Sequence, residues 1–92
     1  MGHVGDLEKR ARRWPRSSRR VFEILPPKRL TYINRRGERV EAGDIVTCRL
    51  RDERRHHFSI YTSHQRTFHL RASSAEDANA WIDACRAAIM LD

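Results

Sequence analysis

Residues 57–91 set the tightest limit on what this chain can become: two alternating apolar runs followed by one amphipathic stretch with a tryptophan on its apolar side. Phe58, Ile60 and Thr62 alternate with polar neighbours, and so do Phe68, Leu70 and Ala72. A two-residue period of this kind marks strands buried on one face, and two such runs joined by Ser63-His64-Gln65-Arg66 predict an antiparallel hairpin. From Ser73 the period changes. Ala78, Trp81, Ile82, Cys85 and Ile89 recur at spacings of three and four, the stripe of a helix packed on a core. Ser73 with Glu76 reads as a capping box, and Asp77 adds negative charge to the first turn. A hairpin closed by one C-terminal helix needs an open sheet end for that helix to cover.

The rest of the chain supplies more short strands. Val4–Arg13 reads as a first strand running into a basic loop, which Trp14-Pro15 interrupts. Arg20–Leu25 reads as a second strand stopped by Pro26-Pro27, and Arg29–Ile33 as a third. Asn34–Glu38 is a turn in which Gly37 can take positive φ. Arg39–Glu41 reads as a short fourth strand, Ala42-Gly43-Asp44 as a turn, and Ile45–Leu50, rich in β-branched residues, as a fifth. Seven short strands and a terminal helix predict a mostly β chain, a seven-stranded antiparallel barrel or sandwich capped by a helix.

Ninety-two residues make a single domain, residues 1–92, with Gly2-His3 compatible with a cloning remnant. No apolar run approaches the ~18 residues of a membrane span, and residues 1–20 are polar and basic rather than a secretory leader. The expectation is a cytoplasmic domain, or a piece of a larger cytoplasmic protein, peripheral to membrane or cytoskeleton. Cys48 and Cys85 both fall at apolar positions and read as small buried hydrophobes rather than a disulfide.

The net charge is +7, and of the 19 basic residues all but Lys9 and Lys28 are arginine. Arginine's planar fork suits phosphate, and a basic face steers a domain toward anionic partners. A GC-rich genome would also favour arginine throughout, but it would not gather basic residues into 8–20, where Glu8 is the only acid.

Order and spacing together resemble a pleckstrin-homology (PH) domain across nearly the whole chain. Gly5-Asp6-Leu7-Glu8-Lys9-Arg10 looks like the family's Gly-x-Leu-x-Lys opening. Arg20-Val21-Phe22-Glu23-Ile24 looks like its second strand and Leu30-Thr31-Tyr32 like its third. Phe58-Ser59-Ile60, Arg66–Leu70 and Ala80-Trp81-Ile82 look like its last two strands and helix. The resemblance implies a bent barrel with the helix plugging one end and three variable loops forming a ligand site at the other.

It also implies where an anion would bind. Many PH domains hold phosphoinositide headgroups with a lysine late in the first strand and a basic-x-Arg pair opening the second. Lys9 matches the lysine and Arg20 the arginine, while the other basic position falls on Ser18 and Arg19 points to the opposite face by alternation. Arg10, Arg12, Arg13 and Arg16 could substitute, and Tyr32, Arg35 and Arg36 are further candidates. With serine in the motif, charge-driven attachment to anionic phospholipid is favoured over recognition of one lipid isomer; each basic residue near such a surface is worth about 1 kcal/mol. Trp14 either packs across the loop base or inserts at the membrane interface.

Other functions find less support. The five histidines have no Cys or carboxylate at zinc-ligand spacing, so no metal is expected. There is neither a nucleophile elbow nor a glycine-rich phosphate loop, so no enzyme and no cofactor are expected. Nucleic acid is disfavoured because Phe22, Phe58, Phe68 and Trp81 all fall in the inward register, leaving only Tyr61 to stack on bases. The main alternative is a protein–protein docking module, cytoskeletal or otherwise, that meets a partner with an acidic surface. An outward apolar patch at Val46 or Ile33 would favour it.

Overall fold

In the computed structural model, which describes residues 2–10 and 17–90, six antiparallel strands close into a barrel and one helix follows. The strands are β1 (His3–Arg10), β2 (Ser17–Leu25), β3 (Arg29–Ile33), β4 (Arg39–Asp52), β5 (His57–Thr62) and β6 (Thr67–Arg71); the helix is α1 (Ala75–Met90). Each strand pairs with the next, and β1 returns to β6 through Glu8↔Arg71 and Lys9↔Leu70.

Alternation fixes the core. Leu7, Phe22, Leu30, Phe58, Ile60 and Phe68 are all buried at or below 2% exposure, each flanked along its strand by residues on the outer face. Trp81 is completely buried in α1, with Ala78, Ile82, Cys85 and Ala88 on the same side and Ile89 half-buried beside them. The β5–β6 hairpin turns through Ser63–Arg66 without glycine. Gln65 takes the left-handed conformation (φ 60°), and Thr62 N and Arg66 O close the turn at 2.9 Å.

Six strands replace the expected seven because Arg39–Glu41 and Ile45–Leu50 belong to one long bent strand. The three residues read as a turn, Ala42-Gly43-Asp44, form its corner. Up to Asp44 β4 pairs with β3, and from Ile45 onward it pairs with β5. Gly43 makes the corner possible. Its φ is 99°, and a Cβ there would fall 2.9 Å from Ser63 Oγ and His64 Cγ. Ser63 also ties the corner to the end of the neighbouring β5, its hydroxyl accepting from Asp44 N at 2.9 Å and its own N–H donating to Asp44 O at 2.8 Å.

The helix starts one residue later than its sequence signal. Ser74, not Ser73, is the N-cap: its hydroxyl accepts from Asp77 N at 3.0 Å, so Asp77 occupies the position read for Glu76. At the other end of the chain, β1 begins at His3 rather than Val4. His3 pairs with Ile24 and meets the Trp81 ring edge-on at 4.4 Å between centroids, so it is built into the plugged end. Gly5 lies under the same indole, where a Cβ would sit 3.4 Å from Trp81 Cζ2. The expected extension of the first strand to Arg13 falls partly in residues 11–16, outside the described residues.

Cys85 is buried and Cys48 half-buried, and both are free thiols. A hydrogen bond from Cys85 to Cys48 holds the Cys48 thiol below its ordinary value and pushes that of Cys85 well above it, burial adding to the latter.

Candidate anion site at the open end

Three connections meet at the barrel end opposite Trp81: β1 to β2, the β3–β4 turn and the β5–β6 turn. Strand register places the side chains there. Lys9 lies two residues beyond the buried Leu7 and so shares its inward face; Arg20 shares the face of Phe22 in the same way. In the β1–β2 ladder Lys9 stands opposite Ser18 and Arg20 opposite Leu7, so Lys9 and Arg20 are diagonal neighbours within reach of long side chains. Arg19 pairs with Glu8 on the outer face, as alternation requires.

Below these cations lies an aromatic floor. Phe22, Tyr32 and Phe68 meet with centroid separations of 5.2 to 5.9 Å. Lys9 Nζ stands 4.5 Å above the Tyr32 ring and 5.8 Å from that of Phe68. The Arg66 guanidinium stacks 4.5 Å over Phe68 and donates from Nη1 to the Tyr32 hydroxyl at 3.5 Å. Each cation–π contact contributes about 0.5–1 kcal/mol at an exposed site. They also hold the two charges over the rings, and among the described residues neither forms an ion pair with a carboxylate. Burial pushes the Tyr32 phenol upward, but the Arg66 hydrogen bond and the charges of Lys9 and Arg66 outweigh it and leave the phenol below the usual tyrosine value. The result is one hydroxyl and two cations facing one opening, a set of donors suited to phosphate oxygens.

The other expected residues are distributed more widely. Arg20 is half-buried, and its Nη1 donates to the Arg19 carbonyl at 2.8 Å. Arg10 ends β1 on the face opposite Lys9, exposed. Arg35 and Arg36 are exposed in the β3–β4 turn at this end. Asn34 shapes that turn by accepting from Arg36 N and Glu38 N at 2.9 Å each, with Gly37 at φ 79°. Arg12, Arg13, Arg16 and Trp14 lie outside the described residues. Of the apolar residues expected outward, Val46 is 43% exposed, while Ile33 is half-buried.

Sequence reading missed Arg66. It was absorbed into the hairpin connection, yet it stands two residues before the inward Phe68, and extending the alternation by one step would have placed it on the same face.

The family model for the PH domain matches residues 5–90. The chain belongs to the PH domain family. Solved PH domains share the fold. The PH domain of human oxysterol-binding protein-related protein 11 superposes with a TM-score of 0.74 at 18% identity, covering 97% of this chain and 80% of that one. The C-terminal PH domain of pleckstrin gives 0.74 at 24% identity over 95% and 94% of the two chains. The same pleckstrin domain in complex with D-myo-Ins(1,2,3,4,5)P5 gives 0.71 at 23% identity over 94% and 95%. A comparison with curated protein sequences finds no match.

Proposed function

We propose that this PH domain is a non-catalytic targeting module whose open end binds the phosphorylated headgroup of a phosphoinositide, or an anionic membrane surface more broadly. The observation that carries the reading is the trio at the mouth: Lys9 and Arg66 held over Tyr32 and Phe68, with the Tyr32 hydroxyl at 3.5 Å from Arg66 Nη1. Arg20 flanks it on β2, and Arg35 and Arg36 stand at the same end to meet a charged surface. The inositol pentakisphosphate bound by the pleckstrin domain of the same fold is a ligand of the chemistry proposed here. No helix among the described residues is long and apolar enough to cross a membrane, so attachment by this end would be peripheral.

The test is vesicle co-sedimentation at about 0.15 M salt, where the screening length is about 8 Å. Phosphoinositide vesicles are compared with phosphatidylserine vesicles of equal charge, for the wild type, Lys9→Ala/Arg20→Ala and Arg66→Ala. A phosphoinositide preference that the substitutions remove establishes a headgroup site. Equal binding to both that fades with salt reduces the site to a charged surface. Failure to bind either vesicle refutes the membrane reading.

A further inference from the structure

The arginines of this domain are unevenly satisfied. On the side of the barrel formed by β2, β3 and the first half of β4, Arg39 pairs with Glu23 at 3.1 Å and Arg29 with Glu41 at 3.2 Å. On the outer face formed by the second half of β4, β5 and β6, Arg49 and Arg71 are exposed and have no ion pair among the described residues. Arg51, also exposed, is aimed by a bond from its Nε to the hydroxyl of Ser59 at 3.0 Å, beneath which Ser59 is only 4% exposed. Cross-strand register arranges this face in rows: Thr47, Tyr61 and Thr67, then Arg49, Ser59 and His69, then His57 and Arg71. The middle of the face therefore carries Arg49, Arg51 and several hydroxyls without a carboxylate, and Arg71 lies in its lowest row. Asp52 and Glu8 stand only at its lower border, beside His57 and Arg71.

We propose that this outer face, distinct from the open end, docks an extended carboxylate-rich segment of a partner protein. Charge complementarity supports this choice of occupant. Arg49, Arg51 and Arg71 form no ion pair among the described residues, and guanidinium forks match carboxylates bidentately. Arg49 and Arg51 lie two residues apart on one strand, close to the ~7 Å repeat of side chains on one side of an extended chain. Thr47, Tyr61 and Thr67 add hydroxyl donors along the upper row. A nucleic-acid strand fits less well: stacking of successive bases needs several aromatic platforms, and Tyr61, 38% exposed, is the only Phe, Tyr or Trp on this face among the described residues. The proposal does not rest on the headgroup reading, because the two sites share no residue.

The experiment uses fluorescence anisotropy with a labelled octapeptide of alternating Glu and Ser, a Gln-Ser control, an oligothymidylate of similar length and soluble inositol trisphosphate. The variants are Arg49→Ala/Arg51→Ala/Arg71→Ala and Lys9→Ala/Arg20→Ala, each checked by circular dichroism. The triple variant should lose about tenfold or more in affinity for the Glu peptide, about 1.4 kcal/mol, as expected for the loss of three exposed ion pairs. It should retain the wild-type response to inositol trisphosphate. Amide shifts of the wild type titrated with the Glu peptide should centre on residues 47–51, 59–61 and 67–71, a readout that holds even if the triple variant fails to fold. The proposal is overturned if the peptide does not bind, if the Gln control binds equally, if the shifts or the loss map to Lys9 and Arg20, or if the oligonucleotide binds this face more tightly than the peptide.

Discussion

Replacing Trp81 tests whether the helix is the plug that closes this barrel. The indole is 0% exposed and meets His3 edge-on at 4.4 Å and Gly5 below it. A buried tryptophan removes about 200 Å² from water, or about 5 kcal/mol at 25 cal/mol/Å². A compact unfolded state lowers that to about 3–4.5 kcal/mol, in line with the 3–5 kcal/mol seen when large aromatic residues are cut to alanine. For a domain whose whole stability is about 5–15 kcal/mol, Trp81→Ala should consume about a fifth of it or more and lower Tm by about 12 °C at least. Trp81→Phe is the informative companion. The indole Nε1 is buried without a hydrogen-bond partner among the described residues, an arrangement that costs about 1–3 kcal/mol. Phenylalanine removes that donor along with part of the area, so its net loss should stay within about 1.5 kcal/mol. Urea unfolding followed by far-ultraviolet circular dichroism measures both, free of the signal from Trp14. Equal losses in the two variants, or less than about 1.5 kcal/mol in Trp81→Ala, would refute the plug.

Three further outcomes are expected. Arg66→Ala should move the Tyr32 ionisation upward, toward the ordinary tyrosine value, because it removes a hydrogen bond and a charge that oppose burial; near-ultraviolet absorbance against pH, compared with the wild type, reads this. Gly43→Ala should destabilise by about 1–3 kcal/mol from its φ of 99°, with the contact at 2.9 Å to Ser63 and His64 adding to it; Gly37→Ala, whose Cβ meets nothing, should cost less in the same denaturation assay. Burial, with help from Arg71, holds the proton affinity of His57 in the folded state below the ordinary value. The unfolded chain therefore takes the proton first, and the contribution from His57 is present above about pH 6.5 and lost as pH falls through it. His57→Gln should flatten that part of the stability profile, and an unchanged profile would contradict the assignment.

Much of this architecture is legible residue by residue because strand alternation is a local property. The inward placement of Leu7, Phe22, Phe58 and Phe68, the outward turn of Arg19 and Tyr61, and the buried stripe around Trp81 all follow from periods of two and 3.6. Lys9 and Arg20 are paired by the resemblance to the family's motif, and alternation assigns Arg19 to the opposite face. Alternation failed at Ala42-Gly43-Asp44, where glycine followed by aspartate has the composition of a turn. There the chain keeps its extended path, because each half of β4 finds a different partner strand. It failed by one residue at Ser73 and Ser74, which carry identical capping chemistry.

The sequence by itself determined the kind of object: alternating runs that must hide one face, a helix that must cover an opening, and a surplus of arginine that must face solvent. Only closure of the barrel decided which charges meet which groups. Arg66 reaches Tyr32 across 34 residues of chain, Lys9 stands over Phe68 because β1 returns to β6, and Arg39 finds Glu23 while Arg49 and Arg71 find no carboxylate among the described residues. Those pairings depend on register between distant strands, whereas hydrophobic periodicity specifies each strand's faces alone.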